Sequence, residues 1–165
     1  MDSPNSGKVI SETRTHYPQV AVGAGSVLDA TLLGRALDAG ASFVLSPHVD
    51  PQLIARAGLQ GVPFVAGALS PTEAVVGMAA GAAAIKLFPA MPGGPGYLRS
   101  LRQPLPGIPF VPTGGVTPAN VQTFFEAGAA AVALGAALTN LEGPALTEAG
   151  RVVVAAAEAA PTWSW

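Results

Sequence analysis

The sequence predicts an α/β fold arranged as a parallel (β/α)8 barrel, and three observations carry that prediction. One unit recurs along the chain: an apolar strand, a turn, a helix opened by a capping residue, then a glycine and the next strand, with Gly40, Gly61, Gly81 and Gly128 closing successive helices. The strands are nearly continuous apolar runs, which marks strands covered on both faces, as parallel sheets are. Composition agrees, because 50% of the 165 residues are hydrophobic and only 11% are charged, too few to clothe elements left open on one side. An open, doubly wound sheet has the same rhythm, but Gly23-Ala24-Gly25-Ser26-Val27-Leu28 lacks the third glycine of a dinucleotide-binding turn. The barrel is therefore preferred.

Taken in order, the chain begins with a helix over 3–18, with Ser3 as its cap, Pro4 at its start and Pro18 beyond its end. Six strands follow, at Val20–Ala24, Phe43–Pro47, Pro63–Gly67, Ala84–Pro89, Pro109–Thr113 and Ala131–Gly135. Between them Asp50-Pro51 and Thr117-Pro118 each give a cap with proline in the first turn, and Ser70-Pro71-Thr72-Glu73 adds the glutamate of a capping box. A last helix is expected over 147–160, and residues 161–165 form a tail carrying Trp163 and Trp165 that docks on the domain or a neighbour. A closed barrel takes at least about 200 residues, so the pattern reads as a single domain, residues 1–165, lacking the first two strands and first helix of the barrel.

Composition also removes whole classes of function. A net charge of -2 provides neither the basic field that nucleic acid requires nor a polybasic patch for anionic lipid. There is no cysteine, hence no disulfide, thiolate or cysteine-based metal chemistry. The longest apolar runs are short and broken by glycine, and no hydrophobic leader is read at the start, so a cytoplasmic protein is expected.

Two stretches carry chemistry. The chain has two lysines, Lys8 and Lys86, and Lys86 sits inside the apolar strand Ala83-Ala84-Ile85-Lys86-Leu87-Phe88-Pro89-Ala90. A lysine so placed either reaches a polar cavity, pairs with an acid, or sheds its proton and becomes a nucleophile. In Pro112-Thr113-Gly114-Gly115-Val116-Thr117, two glycines end a strand ahead of a helix and expose backbone N–H groups to an anion. With two strands missing, this is the seventh-strand position, where barrel phosphate sites commonly form.

Val22-Gly23-Ala24-Gly25-Ser26-Val27-Leu28, Asp38-Ala39-Gly40-Ala41 with Phe43 and Ser46-Pro47, Ile85-Lys86-Leu87-Phe88-Pro89-Ala90, Pro112-Thr113-Gly114-Gly115-Val116 and Leu134-Gly135, in that order, resemble the class I 2-keto-3-deoxy-6-phosphogluconate and 4-hydroxy-2-oxoglutarate (KDPG and KHG) aldolases, a family of TIM-barrel type that includes the phosphogalactonate aldolases. The resemblance implies that Lys86 forms an imine with a 2-keto acid and releases pyruvate, without metal or organic cofactor. It further implies that Thr113 faces the pyruvate moiety, that Phe88 and Pro47 wall the pocket, and that Ser26 stands where the family has a threonine. Gly114, Gly115, Gly135 and Ala136 would hold a substrate phosphate. The implied partners are a small 2-keto acid or sugar-acid phosphate and two further copies of the chain, in a homotrimer.

Three positions depart from the family pattern. Its general acid/base is a glutamate at the end of the second strand, and nothing in the chain matches it; ungapped counting from Gly23 places it just ahead of Met1. Asp2 falls where phosphogluconate members carry an arginine, while Met1-Asp2-Ser3-Pro4 is closer to the phosphogalactonate pattern. Ala136 replaces a phosphate-contacting serine, leaving its backbone for that role. The missing glutamate motivates a second reading, a remnant that binds a sugar-acid phosphate without turnover, and another phosphate-binding barrel, an isomerase or epimerase, is a third. Elsewhere the plain readings are preferred: Ser26 as a structural cap, Glu73 as part of its capping box, His48 as a loop residue rather than a substitute base, and Arg99 and Arg102 as a solvated helix face.

Overall fold

The computed structural model describes residues 3–161 and Trp163. The expectations attached to Met1, Asp2 and Trp165 lie outside the described residues. Contacts divide the chain into two compact units, Met1–Lys86 and Leu87–Trp165.

The first unit holds α1 (Ser6–His16), α2 (Ala30–Asp38), β1 (Val44–Leu45), α3 (Pro51–Leu59), β2 (Phe64–Ala68), α4 (Pro71–Ala79) and most of β3 (Ala84–Leu87). β1 and β2 run parallel, with Val44 opposite Phe64 and Leu45 opposite Val65, and Ala83 N–H extends the ladder by donating to Phe64 O at 2.9 Å. The helix starts follow the sequence. Asp50 accepts from Gln52 and Leu53 N–H at 2.8 and 3.2 Å, and Ser70 and Glu73 close a complete capping box. The helix-closing glycines Gly40, Gly61, Gly81 and Gly128 all have positive φ, between 67° and 95°, a conformation that only glycine adopts without strain.

The packing of α4 fixes which way the strands face. A Cβ on Gly77 would lie 2.8 Å from Ile85 Cδ1 and 3.5 Å from Ala66 Cβ, so Ile85 and Ala66 point toward that helix. Side chains alternate along a strand, which turns Lys86 on β3 and Gly67 on β2 to the opposite face.

The second unit holds α5 (Gly94–Arg102), β4 (Phe110–Pro112), α6 (Val121–Glu126), α7 (Ala136–Thr139) and α8 (Gly143–Glu158) around buried Leu98, Phe110, Val121 and Phe124. Thr113 N–H donates to Leu87 O at 3.0 Å, and Ala90 N–H donates to Thr113 O at 2.9 Å.

Several sequence expectations change. The first and last of the six strands reduce to single parallel bridges, Ala24 with Val44 and Thr113 with Ala133, leaving four strands among the described residues. Gly23 and the alanines Ala21 and Ala24 in the first, and Ala131 and Ala133 in the last, supply little side-chain packing to extend a ladder. The first helix starts at Ser6 after Asn5; Ser3 instead accepts from Asn5 N–H at 3.4 Å. Thr117 does not cap α6, because Thr117 to Asn120 first form a turn in which Asn120 Oδ1 accepts from Thr117 N–H at 2.8 Å. The last helix starts four residues early, at Gly143, since Pro144 is pre-set for a first turn. Arg102 is no solvated surface residue: its guanidinium lies under the Trp163 ring, 5.1 Å from the centroid, and fills the space beside Gly128, whereas Arg99 is exposed. Arg14 of α1 packs on Gly40 in the same manner, so each unit sets a last-turn arginine against the glycine that closes the following helix, where a cation complements the helix dipole. Among the described residues no helix is long and apolar enough to cross a membrane.

Candidate functional site

In the first unit Lys86 is half-buried on β3, and desolvation lowers the pKa of its ammonium below the ordinary lysine value. The cause is in the sequence: alanine, isoleucine and leucine flank it in a strand, and burial penalises the charged form. Pro47, just beyond β1, is tied to the strand next to it, for a Cβ on Gly67 would overlap the Pro47 carbonyl carbon and oxygen. The two strands approach there only because residue 67 has no side chain.

Ser26 has φ 55°, the only non-glycine positive φ among the described residues. That is a sparsely populated conformation for serine, of the kind found at binding sites and tight turns. It does not cap α2, as expected of it; Asp29 does, accepting from Leu32 N–H at 2.8 Å. His48 is exposed, and its Nδ1 lies 2.7 Å from Oγ of the fully buried Ser46. Ser46 continues β1 on the face shared with Ala66, so this contact ties His48 away from the face that carries Lys86. Glu73 serves the cap alone. Its Oε2 accepts from Leu69 N–H, Ser70 N–H and Ser70 Oγ–H at 2.9, 2.7 and 2.8 Å, and the backbone donors hold its pKa below the ordinary glutamate value.

In the second unit Phe88, Thr113, Gly114, Gly115, Gly135 and Ala136 line one cavity of about 430 Å³. The two glycines have φ 84° and 89°, which turns the chain sharply after β4. The Phe88 ring comes within 3.3 Å of where a Cβ on Gly114 would be. Among the described residues neither Gly114 nor Gly115 donates its amide to a backbone carbonyl, so both N–H groups remain for a ligand. The Thr113 hydroxyl donates to Val111 O at 3.2 Å and keeps its lone pairs for an incoming donor.

Val116 and Thr117, the end of the Pro112–Thr117 stretch, also line this cavity. The sequence reading missed Ala137, which lines it too, and Asn120, whose Nδ2 donates to Gly115 O at 2.9 Å while its Oδ1 holds Thr117 N–H. The signal was present for Asn120: asparagine after a proline turn is a residue that bonds its own backbone.

Comparison with known proteins fits this geometry. Residues 1–150 match the family model described as KDPG and KHG aldolase. A probable 2-dehydro-3-deoxy-6-phosphogalactonate aldolase of Rhizobium meliloti (strain 1021) is 36% identical over 118 residues, 71% of this chain and 56% of the relative. A 2-dehydro-3-deoxy-phosphogluconate aldolase of Pseudomonas aeruginosa is 39% identical over 116 residues, 70% of this chain and 51% of the relative. The chain thus spans about half the length of the curated relatives it matches. A solved structure described as native KDPGal superposes with a TM-score of 0.87 at 29% identity, over 95% of this chain and 78% of that one. With parallel strands alternating with helices, a desolvated lysine in a strand and a match over residues 1–150, the chain belongs to the KDPG and KHG aldolase family.

Proposed function

We propose that residues 1–165 act as one domain of a Schiff-base aldolase that cleaves a 2-keto-3-deoxy-6-phospho sugar acid, or 4-hydroxy-2-oxoglutarate, to pyruvate and an aldehyde. The observation that carries the reading is Lys86, whose amine burial keeps neutral at lower pH than a solvated lysine. The lone pair of Nζ attacks the ketone carbon, and loss of water leaves a cationic imine. The C3–C4 bond then breaks with its electron pair passing into the imine, the C4 hydroxyl surrenders its proton and the aldehyde departs. Protonation at C3 and hydrolysis return pyruvate and the Lys86 amine.

Thr113, Phe88, Pro47 and Ser26 are the proposed contacts of the keto acid. The amides of Gly114 and Gly115, with the backbone of Gly135 and Ala136, take the phosphate, and the cavity they line supports this role. Family resemblance is the support for a homotrimer and a cytoplasmic setting. Borohydride reduction with pyruvate, followed by peptide mass analysis, tests the central step. An adduct on Lys86 is expected, and its absence overturns the reading.

A second reading follows from one observation: no segment of these 165 residues matches the family's glutamate. General acid/base groups supply about 10²–10⁴-fold in rate, so a chain that works without one traps pyruvate on Lys86 but cleaves slowly. Cleavage at the rate of full-length relatives excludes that second reading.

A further inference from the structure

We propose that Met91 is a site of reversible oxidation that shuts off anion binding by the Gly114–Gly115 turn. The inference rests on the reading of that turn as the phosphate site and adds a regulation to it.

Met91 follows β3, and its side chain is 60% exposed. It nevertheless lies on the turn: a Cβ added at Gly115 would overlap Met91 Cγ and Sδ. The contact is anchored next door, because Ala90 N–H donates to Thr113 O at 2.9 Å and Gly94 N–H donates to Ala90 O at 2.9 Å, which fixes the chain on both sides of Met91. A thioether in this position is apolar and makes at most a weak acceptor, so it leaves the two amides to an anion. A sulfoxide oxygen is a strong acceptor, and on Met91 Sδ, which sits where a Gly115 side chain would begin, it brings a negative dipole end onto the turn. An anion then meets repulsion at the turn and a competing acceptor for its amides. The binding surface then competes with its own methionine.

The chemistry balances with hydrogen peroxide as oxidant. The sulfur lone pair attacks one peroxide oxygen, the O–O bond breaks, the S–O bond forms, and the second oxygen leaves as water after proton transfer. Sulfur is oxidised and peroxide is reduced. A thiol-dependent sulfoxide reductase reverses the step. Met78, on α4 in the first unit, is half-buried and has no part in the turn, so it serves as an internal control.

The test uses the full chain treated with hydrogen peroxide, peptide mass mapping of Met91 and Met78, and titration with inorganic phosphate. Sulfoxide at Met91 should weaken phosphate binding by about tenfold or more, the worth of one lost charge-assisted hydrogen bond, and reductase should restore it. Pyruvate trapping on Lys86, which needs no phosphate contact, should persist. Met91→Leu should lose the peroxide response, measured against its own untreated affinity, and Met78→Leu should keep it. Unchanged phosphate affinity in protein oxidised at Met91, or an equal response in Met91→Leu, overturns the proposal and leaves the phosphate site standing. Failure of the untreated chain to bind phosphate overturns both.

Discussion

Gly67 offers a direct test of the strand packing that places Pro47. In Gly67→Ala the new methyl carbon would overlap the Pro47 carbonyl carbon and oxygen and lie 2.6 Å from Pro47 Cα. All three are backbone atoms, so no flexible side chain can swing away, and β1 and β2 must part. Overpacking of this kind costs about 1–3 kcal/mol. Parting also strains the bond by which Ser46 N–H donates to Val65 O at 3.1 Å, worth about 1 kcal/mol. The expected loss is therefore about 2–4 kcal/mol, a fall in midpoint of roughly 5–15 °C for a chain of this size. Urea and thermal unfolding followed by circular dichroism measure it. Gly58→Ala provides the contrast. Gly58 is exposed on α3, and nothing lies within 4 Å of its added Cβ, so the helix gains about 0.5–1 kcal/mol. If Gly67→Ala unfolds within about 0.5 kcal/mol of the parent, the contact between the two strands is wrong and so is the placement of Pro47.

Three further outcomes follow from the same geometry. Lys86→Met should remove a pH dependence that the parent has: with a lowered folded pKa the unfolded chain binds more protons between that pKa and 10.5, so the parent's stability rises with pH across this window and the variant's does not; urea midpoints across pH 7–11 read the difference. Ser70→Ala should cost about 1 kcal/mol, and because Glu73 is held below 4.5, the capping contribution should vanish as pH falls from 4.5 through its folded pKa, which Glu73→Gln should abolish. Gly128→Ala and Gly81→Ala share the strain of φ 92° and 95°, about 1–2 kcal/mol each, but only the first meets an arginine, Arg102, so it should unfold at the lower urea concentration; equal midpoints would dismiss the Arg102 packing.

Much of the candidate site was legible because it depends on near neighbours in the chain. A lysine among Ala84, Ile85 and Leu87 is conspicuous without any tertiary knowledge, and paired glycines between a strand and a turn announce exposed amides wherever they occur. The plain reading of Glu73 was equally local, since its partners are residues 69 and 70. The reading of Ser26 as a cap failed because Asp29, three residues on, is better placed for Leu32 N–H, and spacing alone did not rank the two. Arg102 was misread for the opposite reason, its partners Gly128 and Trp163 being distant in sequence.

What the sequence by itself determined is the alternation of βα units, the caps at Asp50 and Ser70, the closing glycines, the position of Lys86 within a strand and the family to which the motifs belong. These rest on backbone conformational preferences and apolar periodicity, which act over a few residues. Tertiary structure alone decided that Ile85 and Ala66 turn toward α4 and Lys86 away from it, that Pro47 closes on Gly67, that the first and last strands shrink to single bridges, and that Met91 lies on Gly115. Those outcomes depend on which surfaces meet after the chain folds back on itself, and contacts between residues far apart in sequence leave no local trace.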